Sequence, residues 1–258
     1  MNEVQNKMTR SCYFYSNLLS YKEKEKNMYC VVTGGTEGIG KSIIYRFAEQ
    51  GFDIITCARN QTKLDLLKVD IERKYAVKVS ILAVDVSIKE EVLNFGQFIN
   101  DLGIPEIIIN NAGVFTPGMI DEEADGALET MINTNLYSAY HLTRAVLPQM
   151  KLVKKGYIFN MCSIASLTAY ANGGSYSISK FALYGMTKVL REELKKDNIK
   201  VTAVLPGATF TSSWEGVDHP EERFIKSEDV ADLIWATYSL SDRTVVEDLL
   251  IRPQLGDL

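Results

Sequence analysis

The stretch "MYCVVTGGTEGIGKSIIYRFAEQG", residues 28–51, decides the fold class. It begins with an apolar, β-rich run, continues through a glycine-rich turn and ends in a helical pattern. The turn contains Gly34, Gly38 and Gly40, and glycine lets the backbone turn tightly and approach a ligand closely. The start of the following helix offers free N–H groups and the positive end of its dipole to a pyrophosphate. A strand, a glycine turn and a helix in this order predict a nucleotide-binding site.

Strand-like and helix-like segments alternate along the rest of the chain. Most of the strand-like runs are continuously apolar, as expected for strands that are covered on both faces. The alternation predicts an α/β fold, doubly wound, with a mainly parallel seven-stranded sheet and helices on both faces. The predicted strands are 28–34, 53–58, 79–85, 106–113, 157–163, 200–207 and 245–251. The predicted helices are 39–50, 61–75, 88–102, 121–152, 175–196 and 227–239.

The chain shows no internal repeat, no low-complexity linker and no Pro/Gly-rich boundary, so residues 27–258 are predicted to form one domain. Residues 1–26 are polar and mixed in charge, and we expect them to be a loosely held N-terminal extension. The alternative is an arm that covers a neighbouring surface through Tyr13, Phe14 and Tyr15.

Composition argues against several classes of protein. A net charge of -5 is unsuited to a nucleic-acid binder, which needs clustered Lys and Arg. The four cysteines show no metal-ligand spacing and the two histidines fit no metal cluster, so no metal site is predicted. No apolar run is long enough to span a membrane, and the first residues lack the apolar region of a signal peptide. We therefore expect a cytoplasmic protein with no membrane partner.

The second predicted strand ends in "CARN", residues 57–60. In dinucleotide-binding folds an acidic residue here binds the ribose 2′-hydroxyl, whereas a nearby Arg accommodates a 2′-phosphate. Because Ala58 is neutral and Arg59 follows it, NADP(H) is favoured over NAD(H). Glu37 opposes this prediction, since a carboxylate near a 2′-phosphate would repel it. Asp85, which ends the third predicted strand, is a candidate to bind the adenine amino group or to cap the next helix.

Two Tyr–Lys pairs lie in the predicted helix 175–196, namely Tyr176 with Lys180 and Tyr184 with Lys188. A separation of four positions on a helix places both side chains on one face, about one turn apart. About one such pair is expected by chance, so the spacing alone does not identify the reactive one. The first pair starts its helix directly after the sequence "NGG", which favours it and predicts a packing role for Tyr184.

Several short motifs occur in order across residues 28–258. They are "TGGTEGIG" (33–40), "DV" (85–86), "NNAG" (110–113), "NTN" (133–135), Ser163, "YSISK" (176–180) and "PG" (206–207). Their order and spacing resemble those of short-chain dehydrogenases/reductases. The resemblance implies a single Rossmann-like domain with sheet order 3-2-1-4-5-6-7. It also implies a homodimer or homotetramer formed through the helices at 121–152 and 175–196.

Carried over position by position, the resemblance implies roles for four residues. Tyr176 matches the general acid/base and Lys180 its partner, and the cation is expected to lower the pKa of the tyrosine. Ser163 matches the serine that orients the substrate carbonyl, and Asn135 the asparagine that holds a proton-relay water. The positions implied to contact the cofactor are Gly34, Thr36, Gly38, Ile39, Gly40, Arg59, Asp85, Val86, Asn111, Ala112, Gly113, Tyr176, Lys180, Pro206, Gly207, Thr209 and Thr211.

The C-terminal part resembles bacterial sepiapterin reductases, most clearly in "RTVVEDLLIRPQLGDL", residues 243–258. On this resemblance Asp257 is a candidate to bind the substrate through its carboxylate. Residues 208–225 are expected to form a lid or a surface loop, with Trp214 packing on a flat substrate in the first case. Phe115 and Tyr170 are further candidate substrate residues.

These observations together predict an NADPH-dependent carbonyl reductase that acts on a small ketone or diketone, with a sepiapterin-like substrate favoured. One alternative is a 3-oxoacyl-thioester reductase, or a hydroxy-amino-acid or alcohol dehydrogenase, of the same family. Another is a non-catalytic dinucleotide-binding protein, against which the presence of both Tyr176 and Lys180 argues.

Overall fold

The computed structural model describes residues 28–211 and 219–256. Seven parallel strands form one sheet in the spatial order β3-β2-β1-β4-β5-β6-β7. The strands are β1 (Tyr29–Thr33), β2 (Asp53–Ala58), β3 (Val79–Ala83), β4 (Ile107–Asn110), β5 (Gly156–Met161), β6 (Ile199–Pro206) and β7 (Asp248–Ile251). The helices are α1 (Gly38–Glu49), α2 (Gln61–Lys74), α3 (Lys89–Leu102), α4 (Ala127–Ile132), α5 (Ser138–Val153), α6 (Gly174–Leu194) and α7 (Ser227–Tyr238). The predicted α/β class, the parallel sheet and its strand order are confirmed.

Both faces of the sheet are covered, which explains why the strands are continuously apolar. Cys30 and Val32 of β1 belong to a buried cluster that includes side chains of α1 and α7. Val31, between them, belongs to the cluster on the opposite face, which includes side chains of α3 and α5. Successive residues of a strand point to opposite faces, so a strand buried on both needs no polar alternation.

The helix predicted at 121–152 begins later than expected, at Ala127. Gly126 has a φ of +86°, a left-handed conformation that ends any helix upstream of it. Residues 133–137 then form a π-helical turn between α4 and α5. Such a turn interrupts the regular helical spacing around Asn135.

None of the helices within residues 28–211 and 219–256 is both long and apolar enough to cross a membrane. The predicted N-terminal extension lies outside the described residues, as do residues 212–218 of the predicted lid and residues 257–258.

Candidate active site

A cleft of about 990 Å³ opens at the carboxyl ends of the strands, where ligands bind in folds of this kind. Phe115, Ser163 and Tyr170 line it, whereas Asn135 is buried with its Oδ1 close behind Gly113. Trp214 and Asp257 lie outside the described residues. Every position predicted to contact the cofactor lies in the lining, namely Gly34, Thr36, Gly38, Ile39, Gly40, Arg59, Asp85, Val86, Asn111, Ala112, Gly113, Tyr176, Lys180, Pro206, Gly207, Thr209 and Thr211.

The glycine turn forms a cradle that side chains would fill. Gly34 and Gly38 have φ values of +69° and +50°, which residues with a side chain rarely adopt. A Cβ on Gly40 would lie 2.3 Å from the carbonyl oxygen of Gly34, so the turn can pack on α1 only without it. Glu37 precedes α1 but its side chain does not cap the helix, which leaves the first N–H groups to an anion. These features fit the pyrophosphate of a dinucleotide.

Asn111 fastens the end of β4 to the glycine turn. Its Nδ2 donates hydrogen bonds to the carbonyl oxygens of Thr33 at 2.9 Å and Gly34 at 3.1 Å. In return, the hydroxyl oxygen of Thr33 accepts from the backbone N–H groups of Asn111 and Ala112, both at 3.0 Å. The strand end "NNAG" is therefore hydrogen-bonded to the end of β1 and to the glycine turn, which holds this side of the cleft in place.

The segment after β6 lies against the glycine turn from the other side. The N–H of Gly207 donates to the carbonyl oxygen of Ile251 at 2.8 Å, and the hydroxyl of Thr209 donates to the carbonyl oxygen of Gly207 at 3.0 Å. A Cβ on Gly38 would lie 2.9 Å from Cγ2 of Thr211. The cleft is therefore narrow here, and glycine is the residue that keeps it open.

Charged side chains line the cleft near the end of β2. Arg59 is exposed there, and Lys63 forms an ion pair with Glu37. The carboxylate that argued against NADP(H) is therefore neutralised by a cation that the sequence analysis missed. Lys63 lies four residues after Arg59, at the start of α2. A search for cations within one helical turn of the strand end would have found it.

Asp85 hydrogen-bonds within its own loop. Its Oδ1 accepts from the backbone N–H of Ser87 at 2.9 Å and from the Ser87 hydroxyl at 2.7 Å. The bond from the Ser87 hydroxyl lowers the pKa of Asp85, and the positive charge of Arg59 adds to this effect. Because α3 begins at Lys89 and is preceded by Ile88, the helix-capping alternative for Asp85 is wrong. Asp85 lines the cleft, where an adenine could reach it.

Tyr176 and Lys180 lie in the first two turns of α6 and both line the cleft. Lys180 Nζ lies 5.7 Å from the ring centroid of Tyr176 and donates a 2.7 Å hydrogen bond to the carbonyl oxygen of Met161. Burial lowers the pKa of Lys180 to about 8. Burial also raises the pKa of Tyr176, against the lowering effect of a hydrogen bond with Ser163. The expected lowering of the Tyr176 pKa is therefore wrong for the protein alone, because loss of solvation of the phenolate outweighs the lowering effect of Ser163.

Ser163 reaches Tyr176 from a short turn that follows β5, and it caps the 3₁₀ turn Ile164–Ser166. The hydroxyl oxygen of Ser166 accepts from the backbone N–H of Ser163 at 3.2 Å. The same hydroxyl donates to the carbonyl oxygen of Lys180 at 2.9 Å. Ser166, which the sequence analysis did not single out, therefore fixes the position of Ser163 relative to α6.

Asn135 uses its side chain to join neighbouring segments. Its Oδ1 accepts from the N–H of Val114 at 2.8 Å, and its Nδ2 donates to the carbonyl oxygen of Val114 at 3.0 Å. Nδ2 also donates to the hydroxyl of Ser179 at 2.9 Å, which donates in turn to the carbonyl oxygen of Tyr176 at 2.7 Å. The amide of Asn135 is therefore engaged by protein groups, and its role toward a proton-relay water stays a prediction.

The second Tyr–Lys pair has a different environment. The hydroxyl of Tyr184 donates to Asp248 at 2.6 Å, and Lys188 Nζ lies 4.2 Å from the ring centroid of Tyr184. Arg191 also binds Asp248, at 3.1 Å. Tyr184 thus joins α6 to β7 outside the cleft lining, and the predicted packing role is confirmed.

Aromatic side chains stand beside Tyr176 on the substrate side of the cleft. The ring of Phe115 lies edge-on to that of Tyr176, with 4.8 Å between centroids and 73° between planes. Burial raises the pKa of Tyr170 to about 12, and the nearby Tyr176 contributes, so Tyr170 stays a phenol at neutral pH. Two rings next to the Tyr176 hydroxyl suit a flat substrate with an apolar face.

Comparison with known sequences identifies relatives of this chain. The sequence model of the short chain dehydrogenase family matches residues 29–222. A sepiapterin reductase from Chlorobaculum tepidum is 30% identical over 236 residues, which cover 88% of this chain and 97% of that protein. A 3-oxoacyl-(acyl-carrier-protein) reductase from Chlamydia muridarum is 30% identical over 202 residues, which cover 78% of this chain and 82% of that protein.

Solved structures share the fold. A metagenomic short-chain oxidoreductase in complex with NADP has a TM-score of 0.77 and 27% identity, with 89% of this chain and 98% of that one covered. A serine dehydrogenase complexed with NADP⁺ has a TM-score of 0.78 and 28% identity, with 86% of this chain and 94% of that one covered. Because the family model spans the glycine turn, Ser163 and the Tyr176–Lys180 pair, this chain belongs to the short-chain dehydrogenase family of oxidoreductases.

Proposed function

We propose that this chain is an NADPH-dependent carbonyl reductase that acts on a small ketone or diketone. The observation that carries the proposal is the meeting of Tyr176, Ser163 and the buried Lys180 at one end of a glycine-cradled cleft. Reduction of a ketone needs an acid, a donor to the carbonyl oxygen and a group that stabilises the conjugate base of the acid. Tyr176 can supply the acid, Ser163 the donor and Lys180 the stabilising charge.

The cleft residues fit NADP(H). Gly34, Gly38 and the first N–H groups of α1 would hold the pyrophosphate, because these are the positions that no side chain obstructs. Arg59 would bind the 2′-phosphate near the end of β2, beside the ion pair of Lys63 and Glu37. The bound nicotinamide supplies the hydride of the reaction.

Tyr176 would give the proton. Reduction leaves negative charge on the ketone oxygen, and a phenol with a raised pKa is fully protonated at neutral pH. The Ser163 hydroxyl, close to the same phenol, can donate to the developing oxyanion. After the transfer, the charge of Lys180 favours the remaining phenolate across a few ångströms of low-dielectric protein. This arrangement suits the reductive direction, in which the tyrosine starts as an acid.

A preference for NADPH follows from the charges at the end of β2. Arg59 lines the cleft without an ion pair or a hydrogen bond among the described residues, and its charge acts on Asp85. Lys63 pairs with Glu37, which reduces the repulsion that this carboxylate would exert on a phosphate. The NADP complexes of the two related structures support the same preference.

Sepiapterin or a similar flat dicarbonyl compound is the substrate we favour. Phe115 and Tyr170 offer two ring faces or edges beside Tyr176, and the sepiapterin reductase of Chlorobaculum tepidum matches this chain over nearly its whole length. A 3-oxoacyl thioester is the second candidate, supported by the relative from Chlamydia muridarum. A hydroxy-amino acid is the third, supported by the serine dehydrogenase structure.

The experiment is a rate comparison across these classes. Purified protein is mixed with NADPH and sepiapterin, simple α-diketones or a 3-oxoacyl thioester, and with NADP⁺ and serine, while NADPH is followed by absorbance. We expect NADPH consumption with the dicarbonyl compounds and none with Tyr176→Phe. Turnover of the thioester or of serine alone would select that alternative, and turnover of nothing in the panel would overturn the proposal.

We further propose that the enzyme is a homodimer or homotetramer. Helices α5 and α6 carry exposed apolar side chains, among them Tyr140, Ile178, Phe181 and Val189, which in water favour association. Sedimentation of the full chain tests this, and a monomer at micromolar concentration would contradict it. The cytoplasmic location and the loosely held extension at residues 1–26 stay predictions.

A further inference from the structure

The helix that carries Tyr176 is capped by a residue from a distant segment. The residue before α6 is Gly173, which has no side chain to accept from the first N–H groups. Glu123 takes this place, since its Oε1 accepts from the backbone N–H of Ser175 at 2.8 Å. Its Oε2 accepts from the Ser175 hydroxyl. A carboxylate at this end of a helix also complements the positive end of the helix dipole.

The surroundings leave room for the Glu123 side chain only because two neighbours are glycines. A Cβ on Gly174 would lie 2.3 Å from Oε1 of Glu123, and a Cβ on Gly118 would lie 2.7 Å from its Cγ. The N–H of Gly118 also donates to the carbonyl oxygen of Asn172 at 3.0 Å, so the two backbones run side by side. The carboxylate is therefore enclosed between the two segments that it joins.

The segment 114–126 that contains Glu123 also faces the substrate. It begins at Val114, which Asn135 holds by two hydrogen bonds. Its next residue, Phe115, lies edge-on to the ring of Tyr176 at 4.8 Å between centroids. Asn135 thus fixes the start of the segment, since it also bonds Ser179 of α6. Glu123 fixes a point near the end of the segment through its bonds to Ser175 of α6.

We propose that Glu123 is a positioning residue for the reductase reaction, which clamps segment 114–126 onto the start of α6 and so sets the distance between Phe115 and Tyr176. The inference rests on the proposed function, because it assigns Glu123 a part in binding the carbonyl substrate. Glu123 itself does not line the cleft, so we expect the clamp to act on substrate binding more than on cofactor binding.

The test compares Glu123→Ala and Glu123→Gln with Glu122→Ala as the matched control. Glu122 is exposed and adjacent, with no side-chain bond to α6 among those of the described residues. Glutamine keeps an oxygen that can accept from Ser175 N–H, whereas alanine removes both acceptors. Ser175→Ala removes only the hydroxyl half of the clamp and serves if Glu123→Ala does not fold.

Two readouts are needed. Hydrogen–deuterium exchange of peptides from 114–126 and from the start of α6 reports the clamp itself, without any need for activity. Steady-state kinetics with the best carbonyl substrate report positioning. For Glu123→Ala we expect exchange about tenfold faster in both peptides and a KM for the carbonyl substrate about tenfold higher. A tenfold effect corresponds to the loss of about one charge-assisted hydrogen bond. The affinity for NADPH should stay within about twofold of wild type. Glu123→Gln and Glu122→Ala should stay within about threefold on every measure.

The outcomes separate the two claims. Unchanged exchange in Glu123→Ala, or in Ser175→Ala if that variant is the one used, overturns the clamp. Faster exchange with an unchanged KM and kcat overturns the positioning role and leaves Glu123 a structural residue. An inactive wild type would defeat the proposed reductase function while the exchange experiment still decides whether the clamp exists.

Discussion

Lys180 donates a 2.7 Å hydrogen bond from its Nζ to the carbonyl oxygen of Met161, the last residue of β5. The bond joins α6 to the carboxyl edge of the sheet and so fixes the position of Tyr176 one turn away. Lys180 is only 5% exposed, and burial lowers its pKa to about 8. The protonated form therefore opposes folding, although it is the form that the proposed chemistry uses.

We expect Lys180→Met to remove a pH dependence of stability. An unfolded lysine has a pKa of about 10.4, so between about pH 8 and pH 10.4 the unfolded chain holds a proton that the native protein has released. The free energy of unfolding of the wild type therefore rises with pH across this window, by at most about 3 kcal/mol, and falls as pH drops towards 8. Chemical denaturation at a series of pH values measures the difference between wild type and variant.

Lys188→Met is the control for this experiment, since Lys188 has the same spacing from a tyrosine but is exposed. It should keep the rise seen in the wild type. Stability curves for wild type and Lys180→Met that run parallel from about pH 7 to pH 10 would show that burial does not hold the lysine pKa low.

The two tyrosines of the repeated Tyr–Lys spacing should respond differently to loss of the hydroxyl. Tyr176→Phe removes the proposed acid, and we expect kcat to fall by about a hundredfold or more. Tyr184→Phe removes a bond to Asp248, which should cost about 1 kcal/mol of stability and leave kcat/KM within about twofold. NADPH oxidation and thermal unfolding of both variants give these numbers. Full activity in Tyr176→Phe would exclude it as the acid.

The parts of the fold that were predicted correctly are those that short stretches of sequence determine. The strands are recognisable because most are short, continuously apolar runs, and the glycine turn because Gly34, Gly38 and Gly40 cluster at the junction of the first strand and its helix. The helix at 121–152 was predicted too long because residues 121–126, "DEEADG", are mostly acidic, and acidic residues are common in the first turn of a helix. The left-handed Gly126 that interrupts it looks like any other glycine in a sequence.

The parts of the site that were missed depend on contacts between distant segments. Lys63 meets Glu37 across the first crossover, and Glu123 meets Ser175 across α4, α5 and β5. Periodicity and motif spacing say which edge of the sheet a residue approaches but not which side chain it finds there. The raised pKa of Tyr176 was missed for the same reason, because burial depends on everything packed around the phenol.

Cofactor preference should depend on the ion pair between Lys63 and Glu37. With Lys63→Met, the Glu37 carboxylate repels a 2′-phosphate, so we expect the KM for NADPH to rise about tenfold while the KM for NADH changes less than about twofold. Adding Glu37→Gln to that variant should restore most of the loss. Arg59→Ala should weaken NADPH binding in both backgrounds, since Arg59 acts on the phosphate directly.

The measurement is the ratio of kcat/KM for the two cofactors in the single and double variants, at low and at high salt. An effect of charge shrinks when salt screens it, because the pair is about half exposed. A Lys63→Met effect that Glu37→Gln does not relieve would mean that Lys63 contacts the cofactor itself.

Phe115 should determine how well a flat substrate binds. Its ring lies beside Tyr176 and is 37% exposed, so a substrate next to the tyrosine hydroxyl can cover it. For Phe115→Ala we expect the KM for sepiapterin to rise about tenfold, which corresponds to one aromatic contact, while the KM for a small aliphatic diketone stays within about threefold. Met119→Ala, on the same segment but outside the cleft lining, is the control and should change neither KM. An equal loss with both substrates would mean that Phe115 supports Tyr176 and does not contact the substrate ring.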